Sequence, residues 1–261
     1  RQTIERVAPT NSRVLIMGPS GSGKELAARA IHTASSRASG PFVSLNAATI
    51  TPERMEIELF GTESNGGERK VGALEEAHRG ILYLDEVADM PRETQGKILR
   101  VLVDQQFERV GGTKRVRVDV RVIASTAQNL EAMIADGRFR EDLFHRLAVV
   151  PMRVPSLAER REDIPLLIDH FMARIAEQAG MRPRRLADDA LAVLQAHNWP
   201  GNVRQLRNNI ERLLILARSD DPDAPVSAEM LPAEIGDMMP KAPSQSDAHI
   251  MALPLREARE Q

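Results

Sequence analysis

Gly18-Pro-Ser-Gly-Ser-Gly-Lys-Glu25 lies between an apolar run, Val14–Met17, and a segment with helical periodicity that starts at its lysine. Glycines allow successive backbone N–H groups to point inward, and a helix that begins there adds the positive end of its dipole. With the charge of Lys24, the stretch is typical of a loop that binds nucleotide phosphates. We predict an ATP or ADP site formed by Gly18, Pro19, Ser20, Gly21, Ser22, Gly23, Lys24, Glu25 and Leu26. The alternative is a glycine-rich turn with an incidental lysine.

The chain around this loop predicts an α/β fold. Short apolar, β-prone runs alternate with helical patterns, which is typical of a parallel sheet covered by helices on both faces. The runs are 14–17, 42–45, 81–84, 120–124 and 148–152, and the helical patterns are 24–35, 53–60, 92–106 and 129–136. Over residues 114–121 valines alternate with charged residues. That alternation predicts a β-hairpin strand with one buried face and one wet face.

After Pro155 the pattern becomes wholly helical. Helical periodicity runs through 162–179, 187–197 and 203–218, with turn signals between these segments. From Asp220 the chain is rich in Pro, Asp, Ser and Met without periodicity, which is typical of a linker. We therefore predict an α/β core over residues 1–155 and an all-helical domain over 156–219. Over 220–261 we predict a linker and, from Leu255, the start of a further helix.

Composition narrows the class of protein. The chain has 261 residues, a net charge of −2, no cysteine and six scattered histidines. The missing cysteines exclude disulfides and thiolate metal sites, and the near-neutral charge provides no global attraction for nucleic acid or membranes. No apolar run approaches the roughly 20 residues of a membrane span. We therefore predict a cytoplasmic protein without membrane contact and without a metal held by protein groups alone.

Two acids, Asp85 and Glu86, end the apolar run 81–84. Mg²⁺ in nucleotide sites is held by one or two carboxylates together with phosphates. We predict that Asp85 holds Mg²⁺ and that Glu86 orients and deprotonates the water that attacks ATP. Glu25 stands where most such loops carry Ser or Thr, and its carboxylate is a second candidate ligand of Mg²⁺. The alternative is a solvated acidic loop.

Phosphoryl transfer also needs positive charge near the terminal phosphate, and three arginines are candidates. Arg140 and Arg146 follow the fourth predicted strand, where surface ion pairing with Glu141 and Asp142 is the simpler explanation from spacing alone. Arg204 lies in the first turn of a predicted helix, where a cation opposes the helix dipole. A bound phosphate would explain its position.

An ordered set of motifs resembles the AAA+ domain of bacterial enhancer-binding proteins, the ATPases that activate RNA polymerase carrying sigma-54. Besides the phosphate loop, the set comprises E-L-F-G at 58–61, G-A-L-E-E-A at 72–77, L-D-E at 84–86, F-R-E-D-L at 139–143 and W-P-G-N-V-R at 199–204. The resemblance covers residues 1–235. It implies a P-loop AAA+ core, a parallel sheet sandwiched by helices, and a C-terminal all-helical lid.

The resemblance also implies roles for single residues and for partners. Asn46 would restrain Glu86 until nucleotide and partner are in place. Arg140 and Arg146 would be arginine fingers that reach the ATP of the neighbouring subunit in a ring hexamer or heptamer, and Arg204 would sense the nucleotide from the lid. In the parent protein a receiver or other sensory domain would precede this region, and a helix-turn-helix domain that binds DNA would follow it.

Two departures from the family pattern bear on activity. Enhancer-binding proteins carry a G-A-F-T-G-A loop that contacts sigma-54, whereas residues 62–71 are shorter and lack the Phe-Thr tip. In the first sensor Thr126 is kept, but Ala127 replaces the usual asparagine and offers no side-chain donor to the γ-phosphate. These departures predict a lost sigma-54 contact and slow hydrolysis with ATP binding retained. The combination resembles NtrX-type response regulators of nitrogen-sensing two-component systems.

Three functional hypotheses follow. The short loop at 62–71 favours a nitrogen-response regulator in which ATP controls assembly and DNA occupancy. The second hypothesis is a sigma-54 activator that turns over ATP to remodel the RNA polymerase holoenzyme. The third is a generic AAA+ remodelling ATPase, which Glu25 and the motif at 199–204 disfavour.

Overall fold

The computed structural model describes residues 2–64, 69–180, 184–216, 225–232 and 235. The chain divides into two compact units, Arg1–Ser156 and Leu157–Gln261. In its described residues the first unit has these strands: β1 (Val14–Met17), β2 (Phe42–Asn46), β3 (Thr62–Glu63), β4 (Arg69–Lys70), β5 (Ile81–Asp85), β6 (Gln106–Glu108), β7 (Arg115–Arg117), β8 (Arg121–Thr126) and β9 (Val150–Arg153). Its α-helices are α1 (Gln2–Val7), α2 (Lys24–Thr33), α3 (Pro52–Phe60), α4 (Ala73–Glu76), α5 (Arg92–Asp104), α6 (Leu130–Ala135) and α7 (Glu141–Leu147).

Five parallel strands form the central sheet in the order β2-β5-β8-β1-β9, which confirms the predicted sheet and its strands. Parallel strands place their carboxyl ends at one edge. In the register of the sheet Asn46 lies beside Asp85, and Met17 lies beside Thr126. The phosphate loop, both acids and the first-sensor segment therefore follow strands that end at the same edge.

Both faces of the sheet are covered by helices because its strands are apolar on both sides. On one face Ile81 and Tyr83 pack with Ala28 and Ile31 of α2. The alternate residues of β5, Leu82 and Leu84, point to the opposite face. There they belong to a larger core that includes Met55, Leu59, Ile98 and Leu102. Full burial of one such leucine or isoleucine contributes about 1.5–3 kcal/mol. The predicted helices α2, α3, α5 and α6 are present, and the structure adds the short helices α1, α4 and α7, which were not predicted.

The predicted hairpin is present but shorter than the alternating run. β6 and β7 pair antiparallel, and the strand ends at Arg117 rather than at Arg121. The alternation places Arg121 on the wet face, and this prediction is wrong because Arg121 begins β8 of the central sheet and is only 2% exposed. Its guanidinium donates to the backbone carbonyls of Val7, Ala8 and Ser12 at 2.9, 2.9 and 3.0 Å. Burial, and then the charge of Arg37, lower the pKa of Arg121.

A second hairpin, β3–β4, carries residues 62–70 and is fastened to the first by Arg109. Arg109 is buried, donates from two nitrogens to Glu75 at 2.8 Å each, and donates to Glu63 at 2.8 Å. Burial acts to raise the pKa of Glu75, but the hydrogen bonds and charges of Arg109 and Arg69 outweigh it and lower that pKa. These ion pairs tie β3 to Arg109 and α4. Residues 65–68, between β3 and β4 in the sequence, lie outside the described residues.

The second unit is all-helical in its described residues. It contains α8 (Ile164–Ala179), α9 (Asp188–Ala196) and α10 (Asn202–Leu216), as the sequence predicts, and 3-10 segments at Leu157–Asp163 and Ala228–Met230. Trp199 is fully buried at its centre and donates from Nε1 to the carbonyl of Leu194 at 2.7 Å. No helix in the described parts of either unit is long and apolar enough to cross a membrane.

The helical unit reaches into the stretch for which composition predicts a linker. Val226, Ala228, Leu231 and Ile235 are buried in the same core as Trp199. Val226 also forms a parallel bridge with Leu186. The compositional signal missed these residues because isolated apolar side chains between polar ones show no periodicity. The predicted helix start at Leu255 lies outside the described residues.

Candidate functional site

The loop between β1 and α2 has the backbone of a phosphate site. Gly21 and Gly23 have φ of 74° and 102°, in the left-handed region that glycine adopts at little cost. Gly18 packs so closely on the end of β9 that a Cβ there would lie 2.4 Å from the carbonyl oxygen of Val154. Lys24 begins α2 and is only 6% exposed. The local sequence therefore places a buried cation at a helix N-terminus.

Lys24 joins the loop to the acidic end of β5. Its Nζ donates to the carbonyl oxygen of Gly18 at 3.0 Å and lies 3.1 Å from Oε1 of Glu86. The other carboxylate oxygen of Glu86 accepts the backbone N–H of Ala127 at 2.8 Å. Glu86 itself has φ 51° and ψ 53°, a conformation that costs a residue with a side chain about 1–3 kcal/mol and is common at functional sites.

Asp85 is surrounded by hydrogen-bond donors from three strands. Asn46 Nδ2 donates to Oδ2 at 3.0 Å, and the hydroxyls of Tyr83 and Ser125 meet Oδ1. The two hydroxyls also contact each other at 2.9 Å. Burial raises the pKa of the Tyr83 hydroxyl, which accordingly stays protonated. Sequence reasoning missed Tyr83 and Ser125, although a polar group two residues before Asp85 shares its face of the strand.

Asn46 contacts Asp85, whereas the resemblance implies a contact with Glu86. Its amide donates to Asp85, and its oxygen accepts the N–H of Ala48 at 2.9 Å, so no described contact joins it to Glu86. The physical reason is register, because Asn46 and Asp85 are direct neighbours in the sheet and Glu86 lies beyond the end of β5. Glu86 is held by Lys24 and Ala127 instead.

Thr126 and Glu25 make mainly local contacts. The hydroxyl of Thr126 accepts the N–H of Gln128 at 3.0 Å, and its backbone carbonyl accepts the N–H of Gly18 at 3.2 Å. Glu25 pairs with Arg29 one turn later at 2.7 Å, with both side chains about half exposed. Leu26 is 72% exposed.

Two of the three candidate arginines, Arg140 and Arg146, lie next to and in α7 of the first unit. Arg140 precedes α7 and pairs with Asp142 at 2.7 Å, which is the surface pairing that spacing alone favours. Arg146 is exposed in the last turn of α7. In the described part of the chain no hydrogen bond or ion pair joins either of them to residues 18–25. Arg204 lies in the first turn of α10, in the second unit.

The described residues contain no group of three or more His, Asp and Glu side chains placed to hold a metal ion. Asp85 presents a carboxylate at the end of β5, next to Glu86 with its partner Lys24, and one or two carboxylates are the small protein share that Mg²⁺ takes in nucleotide sites. The residues present therefore fit a magnesium ion that is bound together with phosphates.

Comparison with known proteins gives matches along the chain. A family model described as the Sigma-54 interaction domain matches residues 1–153, and one described as an AAA+ ATPase lid domain matches residues 158–248. The nitrogen assimilation regulatory protein NtrX of Azorhizobium caulinodans is 64% identical over 262 residues, with 100% of this chain and 58% of that protein aligned.

Solved structures give the same picture. NtrX from Brucella abortus in complex with ATP is 77% identical with a TM-score of 0.88, over 99% of this chain and 57% of that one. The structure of the same protein in complex with ADP has the same identity and TM-score, over 99% of this chain and 58% of that one. The chain thus spans less than two thirds of the length of these relatives.

Proposed function

The chain belongs to the sigma-54 interaction domain family, and from that premise we propose that it is the ATP-binding AAA+ region of a nitrogen-response transcription regulator. The observation that carries the proposal is the meeting of Lys24, Asp85 and Glu86 at one edge of the sheet. ATP or ADP would bind with its phosphates on residues 18–25, near Leu26. The complexes of Brucella abortus NtrX with ATP and with ADP support this assignment.

The charges of the site suit a nucleoside triphosphate with magnesium. Lys24 is the cation of the loop, and its burial at a helix N-terminus strengthens its attraction for phosphate oxygens. Asp85 and Glu25 would hold Mg²⁺, which neutralises phosphate charge when bound. Thr126 ties the loop to β8 through its carbonyl and belongs to the first-sensor segment.

Hydrolysis would depend on Glu86 and on charges from outside the cluster. Glu86 would accept a proton from the attacking water, and Asn46 would act on the site through Asp85. Arg140 and Arg146 would approach the ATP of a neighbouring subunit, for which Arg140 must leave its exposed and therefore weak pair with Asp142. Arg204 would report the nucleotide state from the lid.

Nucleotide binding in this regulator would control assembly rather than drive work on sigma-54. Residues 62–71 contain no Phe-Thr tip, and their base is held by Arg109. The assembly would be a hexameric or heptameric ring. In the whole protein this region would contact the protein's own receiver and helix-turn-helix domains. The helix-turn-helix domain would bind DNA, and RNA polymerase is a further candidate partner. The family name supports the second candidate, a sigma-54-dependent activator ATPase.

We expect ATP turnover by this chain to be slow, below roughly 1 s⁻¹, which is the lower end of typical enzyme rates. Ala127 has no donor for the γ-phosphate, so Ala127→Asn should raise the rate about tenfold or more. Ala127→Leu is the matched control, since it adds similar volume without an amide. Steady-state rates against protein concentration, with light scattering for ring assembly, measure both effects. Fast wild-type turnover that rises steeply with concentration would contradict the proposal.

The segment at residues 62–71 distinguishes the two candidate functions, because a sigma-54 activator needs its contact with sigma-54. We expect no stable capture of sigma-54 by the wild-type chain with a transition-state analogue of ATP in a pull-down. A variant in which residues 62–71 are replaced by a longer loop containing G-A-F-T-G-A serves as the positive control. Stable capture by the wild type would favour the activator ATPase over the regulator.

A further inference from the structure

The strongest unassigned feature is the group of hydroxyls around Asp85. Tyr83 and Ser125 are each 0% exposed, and both hydroxyls meet the same oxygen, Oδ1 of Asp85. Oδ2 receives the amide of Asn46 at 3.0 Å. Both oxygens of this carboxylate therefore have donors before any ligand is considered.

The arrangement follows from strand register. Tyr83 lies two residues before Asp85 on β5, so both side chains point to the face that α2 covers. Tyr83 pairs in register with Ile123 on β8, so Ser125 lies beside Asp85 on the same face. Asn46 comes from β2 on the other side of β5. Each of the three adjacent strands thus contributes one polar group to a single point.

Packing explains the ring of Tyr83 but not its hydroxyl. The ring stacks on Phe42 with centroids 5.9 Å apart, which a phenylalanine would do equally well. A buried hydroxyl without a hydrogen-bond partner is unfavourable. The Tyr83 hydroxyl has its acceptors in Asp85 and Ser125, so these contacts, and not the packing of the ring, account for its presence. Donors on both oxygens of a carboxylate prevent it from rotating, and fixed orientation is what a ligand of Mg²⁺ requires, since this ion tolerates little deviation from octahedral geometry.

We propose that Tyr83 and Ser125 are positioning residues, whose hydroxyls hold Asp85 in the orientation that binds magnesium together with the nucleotide. The proposal rests on the proposed function, because it concerns the same nucleotide site. It assigns the two hydroxyls no contact with ATP. Their removal should therefore change the magnesium-dependent part of nucleotide affinity and leave the remainder unchanged.

The test uses Tyr83→Phe, Ser125→Ala and the double variant, each titrated with ADP by calorimetry in excess MgCl₂ and again in EDTA. Thr94→Val is the matched control, because Thr94 is a buried hydroxyl residue on α5 that has no contact with Asp85. We expect the affinity gain from Mg²⁺ to fall about fivefold in each single variant and about tenfold or more in the double variant. ADP affinity in EDTA should stay within about twofold of wild type, as should both affinities of Thr94→Val.

The outcomes separate the inference from the function on which it rests. An unchanged gain from Mg²⁺ in Tyr83→Phe, or equal losses in MgCl₂ and EDTA, would overturn the positioning role. Wild-type protein that binds ADP equally well in both buffers would overturn it too, while nucleotide binding stands. Wild-type protein that binds ADP in neither buffer would overturn the proposed function itself. Thermal melting checks folding, and Tyr83→Phe decides alone if Ser125→Ala does not fold.

Discussion

Lys24→Ala is expected to lower the affinity for ATP and ADP by about 100-fold or more, which corresponds to about 3 kcal/mol. Lys24 is the one cation within residues 18–25, and it is 6% exposed at the start of α2. A buried ammonium attracts phosphate more strongly than an exposed one because less water screens it. Removal also leaves Glu86 without its ion pair, so that its negative charge would repel the phosphates.

Isothermal titration with ADP and ATP measures this effect. Lys24→Met keeps most of the buried aliphatic stem and separates the loss of charge from the loss of packing. Lys97→Ala is the control, because Lys97 is also an ion-paired lysine of the first unit, with Glu56 at 2.6 Å, but belongs to α5. Unchanged affinity in Lys24→Ala would rule out the phosphate-loop assignment.

Arg121→Met is expected to lower the free energy of unfolding of the first unit by about 3–5 kcal/mol. Arg121 is 2% exposed, and its guanidinium donates to three backbone carbonyls. Each backbone carbonyl left buried without a hydrogen-bond partner costs about 1–3 kcal/mol. Water that reaches some of these carbonyls keeps the loss of stability below the sum of the separate costs. Two of these carbonyls, of Val7 and Ala8, lie at the C-terminal end of α1, where helix carbonyls lack partners within the helix. The Val7 carbonyl also accepts from the N–H and the hydroxyl of Thr10, so the loss falls mainly on the carbonyls of Ala8 and Ser12.

Urea denaturation measures the loss, and hydrogen exchange of the α1 amides shows whether release of that helix comes first. Arg117→Met is the matched control, because Arg117 belongs to the same alternating run and is exposed. The chain has two compact units, so the transition assigned to the first must be resolved from the second. A loss below about 1 kcal/mol would mean that water replaces the guanidinium and that the hydrogen bonds of Arg121 contribute little to stability.

Much of the fold was predictable because its signals are local. The five strands of the central sheet, four of the helices of the first unit and the three α-helices in the described part of the second follow the predicted runs. The matches to the sigma-54 interaction domain and to NtrX confirm the AAA+ P-loop fold with a helical lid and the resemblance to NtrX-type regulators. The linker prediction from residue 220 onward missed that Val226 and Leu231 are buried in the core of the helical unit. A few isolated apolar residues show no periodicity, so the sequence pattern did not reveal them.

The loop at residues 18–25 and the acids at 85 and 86 were determined by the sequence itself, since a strand, a glycine-rich turn and a helix start are encoded by adjacent residues. Only the tertiary structure decided which groups meet Asp85. Asn46 and Ser125 are 39 and 40 residues away in the chain, and strand order and register bring them together. The same holds for Arg121. The alternating pattern predicts that its side chain faces solvent, but in the structure it is buried and donates to backbone carbonyls 109–114 residues away in the chain. Hydrogen bonds between distant segments have no periodicity along a chain, so their partners become visible only after the strands are paired.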